Sequence, residues 1–228
     1  MKSVVITFPG SNCDRDAIDA LQKINSKVQR VWHSESSLDN DLDLIVVPGG
    51  FSFGDYLRSG AMASISPIIS EIRRLSLKGV RVLGVCNGFQ ILTEANLLPG
   101  VLTRNSKIKF ICKSVFIRVE NNQTDFTKNF KSRQVISVPI AHMDGNYFAN
   151  SETLKMIEDN SMIAFKYVDA YGNVSDEANP NGSSLNIAGI YNKEKNILGM
   201  MPHPERAIDK STGSSDGLIL FESLNNLF

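Results

Sequence analysis

Residues 80–95 read Val-Arg-Val-Leu-Gly-Val-Cys-Asn-Gly-Phe-Gln-Ile-Leu-Thr-Glu-Ala. The run Val80–Val85 is short, apolar and rich in β-branched residues, as a buried strand is. Phe89–Ala95 reads as helix. Cys86 therefore stands where a strand turns into a helix. A lone cysteine is most simply a small apolar filler, because free cysteine is among the most buried residue types. Here, however, Gly84 and Gly88 flank it in a G-x-nucleophile-x-G pattern. A strand-to-helix turn this tight crowds its neighbours, and glycines relieve the clash. The nucleophile then points out of the sheet, and the next backbone N–H, that of Asn87, is available to an oxyanion. The positive end of the following helix favours thiolate over thiol.

Working outward, Ser3–Phe8, Lys27–His33 and Leu42–Pro48 also read as strands. Helical stretches fall near Asp14–Ile24, Ser64–Leu77 and Asn87–Ala95. Alternation of this kind with short connections predicts an α/β fold, a three-layer sandwich around a mostly parallel central sheet. Leu44-Ile45-Val46-Val47 is apolar on both faces, as a sheet covered on both sides requires. In the second half, Ser114–Val119, Gln134–Ile140, Ser161–Val168, Leu185–Tyr191 and Asn196–Met201 read as strands joined by turns. They predict an additional antiparallel β part, with a last helix over Asp216–Phe228. No linker or repeat interrupts residues 1–228, which are expected to form one domain.

Composition narrows the function classes. The 24 Lys and Arg residues balance 24 Asp and Glu residues, so no basic excess points to nucleic acid or an anionic membrane surface. No stretch is long enough to span a bilayer. The opening apolar run is too short for a signal peptide and is expected to be a first strand. Cys13, Cys86 and Cys112 make an odd number without framework spacing, which points to a reducing cytoplasm. Cys13 and Cys112 are left as structural or incidental thiols.

A reactive thiol needs a base, and the chain has three histidines. His33 ends a strand beside Trp32 and is expected at the surface or as a cap. His203 sits in Met200-Met201-Pro202-His203-Pro204-Glu205-Arg206, directly after a strand, where it could reach the same sheet edge as Cys86. The two prolines keep this backbone extended. Glu205, two residues on, falls on the same side as His203. A carboxylate there orients an imidazole and stabilises the imidazolium. A surface histidine in a proline-rich loop is the plainer reading, and the cysteine elbow outweighs it. Pro48-Gly49-Gly50-Phe51-Ser52-Phe53-Gly54-Asp55 also follows a strand. It lacks P-loop and dinucleotide-binding spacing. An oxyanion loop fits better, with the Gly50 N–H joining that of Asn87, although a simple strand-ending turn reads equally well in isolation.

Together these pieces resemble the class I (triad) glutamine amidotransferases, which pair a G-x-C-x-G-x-Q elbow with a late His-x-Glu. The matching stretches are Phe8–Asp14, Pro48–Arg58, Gly84–Gln90, Ile140–His142, Asn179–Ser183 and Met200–Ala207, which cover nearly the whole chain. The resemblance implies a flavodoxin-like fold and a catalytic Cys86, His203 and Glu205. It implies oxyanion donors at Gly50 and Asn87, and substrate contacts at Gln90 and His142, with glutamine as substrate. After His142 the family has Gly-Glu-Gly, whereas this chain has Met143-Asp144-Gly145. The Phe-Pro-Gly-Ser-Asn and Asn-Pro-Asn-Gly-Ser segments are particular to one branch, whose glutaminase is a separate subunit. In that branch, ammonia passes to a larger synthase subunit that makes formylglycinamidine ribonucleotide in purine synthesis, accompanied by a small accessory subunit. The resemblance implies no cofactor or metal in this chain, with ATP and magnesium in the synthase partner. It further implies that both branch-specific segments are surface docking loops. Read from residues alone, Ser11 and Asn12 are ordinary helix N-caps and Asn179–Ser183 is a turn. Two other functions stay open at this point: a stand-alone elbow-cysteine amide hydrolase, and a non-catalytic flavodoxin-like regulatory subunit.

Overall fold

The computed structural model describes residues 1–225. In chain order its elements are β1 (Lys2–Thr7), α1 (Asp14–Lys23), β2 (Lys27–Trp32), β3 (Leu44–Val47), α2 (Pro67–Ser76), β4 (Arg81–Val85), α3 (Asn87–Glu94) and β5 (Val101–Thr103). They continue with β6 (Ile111–Val119), β7 (Val135–His142), β8 (Asn146–Phe148), α4 (Ser151–Asp159), β9 (Ile163–Val168), β10 (Ile187–Tyr191), β11 (Ile197–Met200) and α5 (Leu218–Asn225). Nine strands form one sheet in the order β2-β1-β3-β4-β11-β10-β9-β6-β7. The first five pair in parallel and the last four extend them antiparallel. The parallel block has the 2-1-3-4-5 order of doubly wound flavodoxin-like sheets, and the antiparallel part comes from the second half of the chain, as expected.

The pattern of apolar residues explains the layers. All four residues of β3 and all five of β4 are buried, so both faces of the central strands lie under other elements. Helix α2 buries Ile68, Ile69, Ile72 and Leu75, a stripe at helical spacing. Its first residue is Pro67, whose missing N–H is harmless at that position. The same proline corrects the expected helix 64–77: a separate 3₁₀ turn occupies Ala63–Ile65, and the α-helix starts only at Pro67.

Three short elements escaped the sequence reading. β5 and β8 pair with each other away from the main sheet and are three residues each, too short to show a period. Helix α4 is capped by Asn150, whose Oδ1 accepts from the Thr153 N–H at 2.8 Å. It buries only Ile157 among its own residues, so its apolar stripe is faint. The strand expected from Ser114 starts at Ile111, and the one expected from Leu185 starts at Ile187 after a turn with Leu185 at φ 54°. The last helix starts at Leu218, and the part expected over residues 226–228 lies outside the described residues. No helix among the described residues is long and apolar enough to cross a membrane.

The antiparallel part curls back toward the parallel block. The His203 N–H, just beyond β11, donates to the Pro139 carbonyl of β7 at 2.8 Å. The end of β7 is thereby brought over the end of β4, where the functional residues collect.

Candidate active site

Cys86 has φ 51° and ψ −105°, a conformation that side chains rarely take. The chain enforces it. The Cys86 N–H donates to the Met200 carbonyl at 2.7 Å, which anchors the elbow to β11, and its carbonyl accepts from Gln90 N–H at 3.1 Å. A Cβ at Gly88 would collide with the carbonyl oxygen of Val47, and one at Gly84 with Leu92 and the Gly88 backbone. These glycines allow α3 to pack directly on β3 and β4. The Cys86 side chain is 5% exposed, and its Sγ stands 3.8 Å from the Ala141 carbonyl on β7.

His203 and Glu205 are both buried. Nδ1 of His203 donates to Glu205 Oε1 at 2.6 Å, which leaves Nε2 without a partner among the described residues. Pro204 opens the 3₁₀ turn Pro204–Arg206 that folds Glu205 back beneath the ring. Gly49 is the point where the pieces meet: a Cβ there would lie 2.8 Å from His203 Cε1, 3.0 Å from Cys13 Sγ and 3.4 Å from Cys86 Cβ. Burial disfavours a charged imidazole. The Glu205 carboxylate, then Cys86 and Cys13, outweigh it and hold His203 well above its ordinary value. The structure thus brings together Cys86, His203 and Glu205, the three residues singled out as nucleophile, base and orienter.

The backbone N–H groups of Gly50 and Asn87 donate to no acceptor among the described residues, while their neighbours are engaged. Phe51 N–H donates to the Gly10 carbonyl at 3.0 Å, and Ser52 N–H to Asn87 Oδ1 at 3.1 Å. Gly50 has φ 143°, and a Cβ there would strike the backbone of Ser11 and Asn12. Residues 8–13 therefore brace the Gly49–Asp55 loop from behind. This corrects the reading of Ser11 and Asn12 as N-caps: α1 follows Cys13 with no side-chain cap bond, and Ser11 Oγ instead accepts from the Phe8 N–H. Nor is Asn179–Ser183 only a surface turn. Asn181 is fully buried, and its Nδ2 donates to the Gly145 carbonyl at 2.7 Å, which fixes the strip after His142.

On the other side of Cys86 lies a narrow cleft lined by Gly50, Asp55, Cys86, Gln90, His142 and Asp144. Gln90 borders it, but both ends of its amide are occupied: Nε2 donates to the Asp144 carbonyl at 2.7 Å and Oε1 accepts from Asn87 Nδ2 at 2.9 Å. His142 Nδ1 bonds Asn105 Oδ1 at 3.0 Å, and its Nε2 has no partner among the described residues. Burial, with the positive His203 nearby, pushes His142 down to about 4, so it is neutral at neutral pH.

The residues missed from sequence are Asp55, Asp144 as a side-chain contributor, Cys13 and Arg206. Asp55 Oδ1 and Asp144 Oδ1 are buried beside the cleft without hydrogen-bond partners, and burial, then Asp144, pushes the Asp55 carboxyl up. Cys13 is buried near His203, with Arg206 Nη2 donating to its Sγ at 3.2 Å. The position of Cys13 after the first strand, beside the Gly49 strand end, is the one signal that pointed here. His33, expected at the surface or as a cap, is wedged among Phe8, Trp32 and Phe53, away from the cleft.

The chain is similar along its length to known glutamine amidotransferases. A CobB/CobQ-like glutamine amidotransferase domain model matches residues 1–217. The phosphoribosylformylglycinamidine synthase subunit PurQ of Novosphingobium aromaticivorans is 53% identical over 97% of this chain and 95% of its own length. That of Pelagibacter ubique is 53% identical over the full length of both. In a solved structure of PurLQS from Thermotoga maritima, one chain superposes with a TM-score of 0.88 at 42% identity, covering 99% of this chain and 97% of that one. The Cys86 elbow and the buried His203–Glu205 pair thus sit in a chain that belongs to the CobB/CobQ-like glutamine amidotransferase family, in its branch of phosphoribosylformylglycinamidine synthase PurQ subunits.

Proposed function

We propose that this chain is the glutaminase subunit of a phosphoribosylformylglycinamidine synthase. Its task is to release ammonia from glutamine for the conversion of formylglycinamide ribonucleotide to its amidine in purine synthesis. The observation that carries the reading is the strained Cys86 elbow meeting the buried His203–Glu205 pair across Gly49.

The chemistry follows from the atoms in place. Cys86 thiolate attacks the side-chain amide carbon of glutamine. The Gly50 and Asn87 N–H groups hold the oxyanion that forms, each contributing about 3 kcal/mol to the barrier reduction. The His203 imidazolium protonates the departing nitrogen, the C–N bond breaks and ammonia leaves. Neutral His203 then takes a proton from water, which attacks the γ-glutamyl thioester. Glutamate departs, and Cys86 and His203 return to thiolate and imidazolium. Glu205 orients the ring and stabilises its charged form throughout.

Asp55 and Asp144 place two carboxylate oxygens without hydrogen-bond partners beside the cleft, the Asp144 oxygen 3.9 Å from the Arg104 guanidinium. The cation they suit is the α-ammonium of a free amino acid. Gln90 positions Asp144 through its carbonyl. We assign ATP and magnesium to a larger synthase subunit, accompanied by a small accessory subunit, and no cofactor to this chain. A cytoplasmic site of action fits a purine-synthesis role. In the assembled complex, Cys86→Ser is expected to abolish glutamine-dependent synthesis and leave ammonia-dependent synthesis intact. Equal loss of both would overturn the division of labour.

A further inference from the structure

The nucleophilic machinery has a second thiol at its back. Cys13 Sγ, an imidazole nitrogen of His203 and a carboxylate oxygen of Glu205 all lie within 4.8 Å of one another, and all three side chains are buried. Two polar atoms of this group, His203 Nε2 and Glu205 Oε2, have no hydrogen-bond partner among the described residues. Thiolate, imidazole and carboxylate are the donor set of a tetrahedral zinc-class ion, with bonds of about 2.0–2.3 Å and an open fourth position. These atoms stand within 4.8 Å of one another, and a shared ion requires the side chains to draw inward around it. We propose that Cys13, His203 and Glu205 form an inhibitory site for a thiophilic divalent cation such as zinc.

An ion in this site blocks the glutaminase chemistry on whose reading this inference rests. Proton transfer uses Nε2, and Nδ1 is fixed by Glu205, so an ion on either nitrogen removes a needed function. Binding displaces a proton from the Cys13 thiol, which now donates to Asn12 Oδ1 at 3.1 Å, and a second from the His203 imidazolium. One neighbour opposes the ion: the guanidinium of Arg206, 3.2 Å from Cys13 Sγ. Its Nε is held by Asp16 Oδ2 at 2.9 Å in a partly exposed pair, so Arg206 stands as an electrostatic guard that sets how readily the ion enters.

Two variants outside the catalytic set therefore predict opposite changes. Cobalt(II) titration of the purified chain, followed by its thiolate-to-metal absorption and then by competition with zinc, reads the site without any turnover. The wild type should take up one ion per chain with a Cys13 thiolate band. Cys13→Ser should lose the band and bind zinc at least about tenfold more weakly, while Arg206→Gln should bind it more tightly. Cys112→Ser should match the wild type, and circular dichroism checks that each variant is folded. Unchanged zinc affinity in folded Cys13→Ser, or weaker binding in Arg206→Gln, would overturn the site. Zinc bound through Cys13 without any loss of glutaminase activity would leave the site standing but overturn its inhibitory character and the role given to His203.

Discussion

His203 Nδ1 lies 2.6 Å from Glu205 Oε1, and both side chains are only 2% exposed. In such a pair the two charges stabilise each other and neither is solvated well. Burial alone would drive the imidazole toward neutrality, and the carboxylate reverses this. The sign for stability follows: the contribution of His203 is fully present below the ordinary imidazole range and is lost as pH rises through its raised value. Glu205→Gln removes the largest of the charges that oppose burial and leaves only Cys86 and Cys13 against it. We predict that His203 then titrates well below its value in the wild type, with kcat for glutamine hydrolysis reduced about 10⁴-fold. NMR titration of the three assigned histidines tests this, and an unmoved His203 would contradict it.

His142 behaves oppositely. Its folded form resists protonation down to about 4, against an ordinary 6.5. The unfolded chain therefore binds a proton that the folded one refuses, and stability falls as pH drops between those values. The loss amounts to about 3 kcal/mol over that window. His142→Gln should flatten this part of the stability-against-pH curve measured by urea unfolding. An unchanged slope would show that another group is responsible.

In the proposed reaction Asp144 recognises the α-ammonium. Its Oδ2 accepts from Ser59 Oγ at 2.9 Å, while Oδ1 is buried without a hydrogen-bond partner, 3.9 Å from the Arg104 guanidinium. Asp144→Asn should raise KM for glutamine about 10- to 100-fold, the cost of losing a charged hydrogen bond, with a smaller change in kcat. Hydrolysis of a glutamine analogue without the α-amino group should be poor in the wild type and little affected by the substitution. Equal sensitivity of both substrates would remove Asp144 from substrate recognition.

Asn181 ties the cleft to the core. Its Nδ2 donates to the Gly145 carbonyl at 2.7 Å and to the Tyr167 hydroxyl at 3.2 Å. Asn181→Ala leaves the buried Tyr167 hydroxyl without this donor and the Gly145 carbonyl with only the longer 3.4 Å bond from Ser183 Oγ, at about 1–3 kcal/mol of stability. It should also loosen the Asp144 strip, seen as faster amide exchange over residues 143–147. Exchange confined to residues 179–183 would mean the brace is local.

Much of this was legible in the sequence because the signals were local. The apolar runs of β3 and β4, the glycines beside Cys86 and the prolines around His203 each dictate their own backbone. The elbow and the His-x-Glu pair could therefore be placed before any tertiary information. What stayed hidden depends on contacts between distant segments. Cys13 looks incidental until Gly49 brings it against His203, 190 positions on in the chain. Asn181 carries turn chemistry by type, yet packing sends it into the core. Asp55 and Asp144 resemble any loop acids, and only the fold buries one oxygen of each beside the cleft.

The central claim is that Cys86 is the nucleophile of a glutamine site. Intact-mass analysis after incubation with a diazoketone analogue of glutamine tests it most directly, on the wild type and Cys86→Ser, each alone and with the synthase partner. The account predicts a single adduct on the wild type, mapped to Cys86 and lost in Cys86→Ser. An adduct that persists in Cys86→Ser, or no adduct on the wild type even with the partner bound, would contradict it.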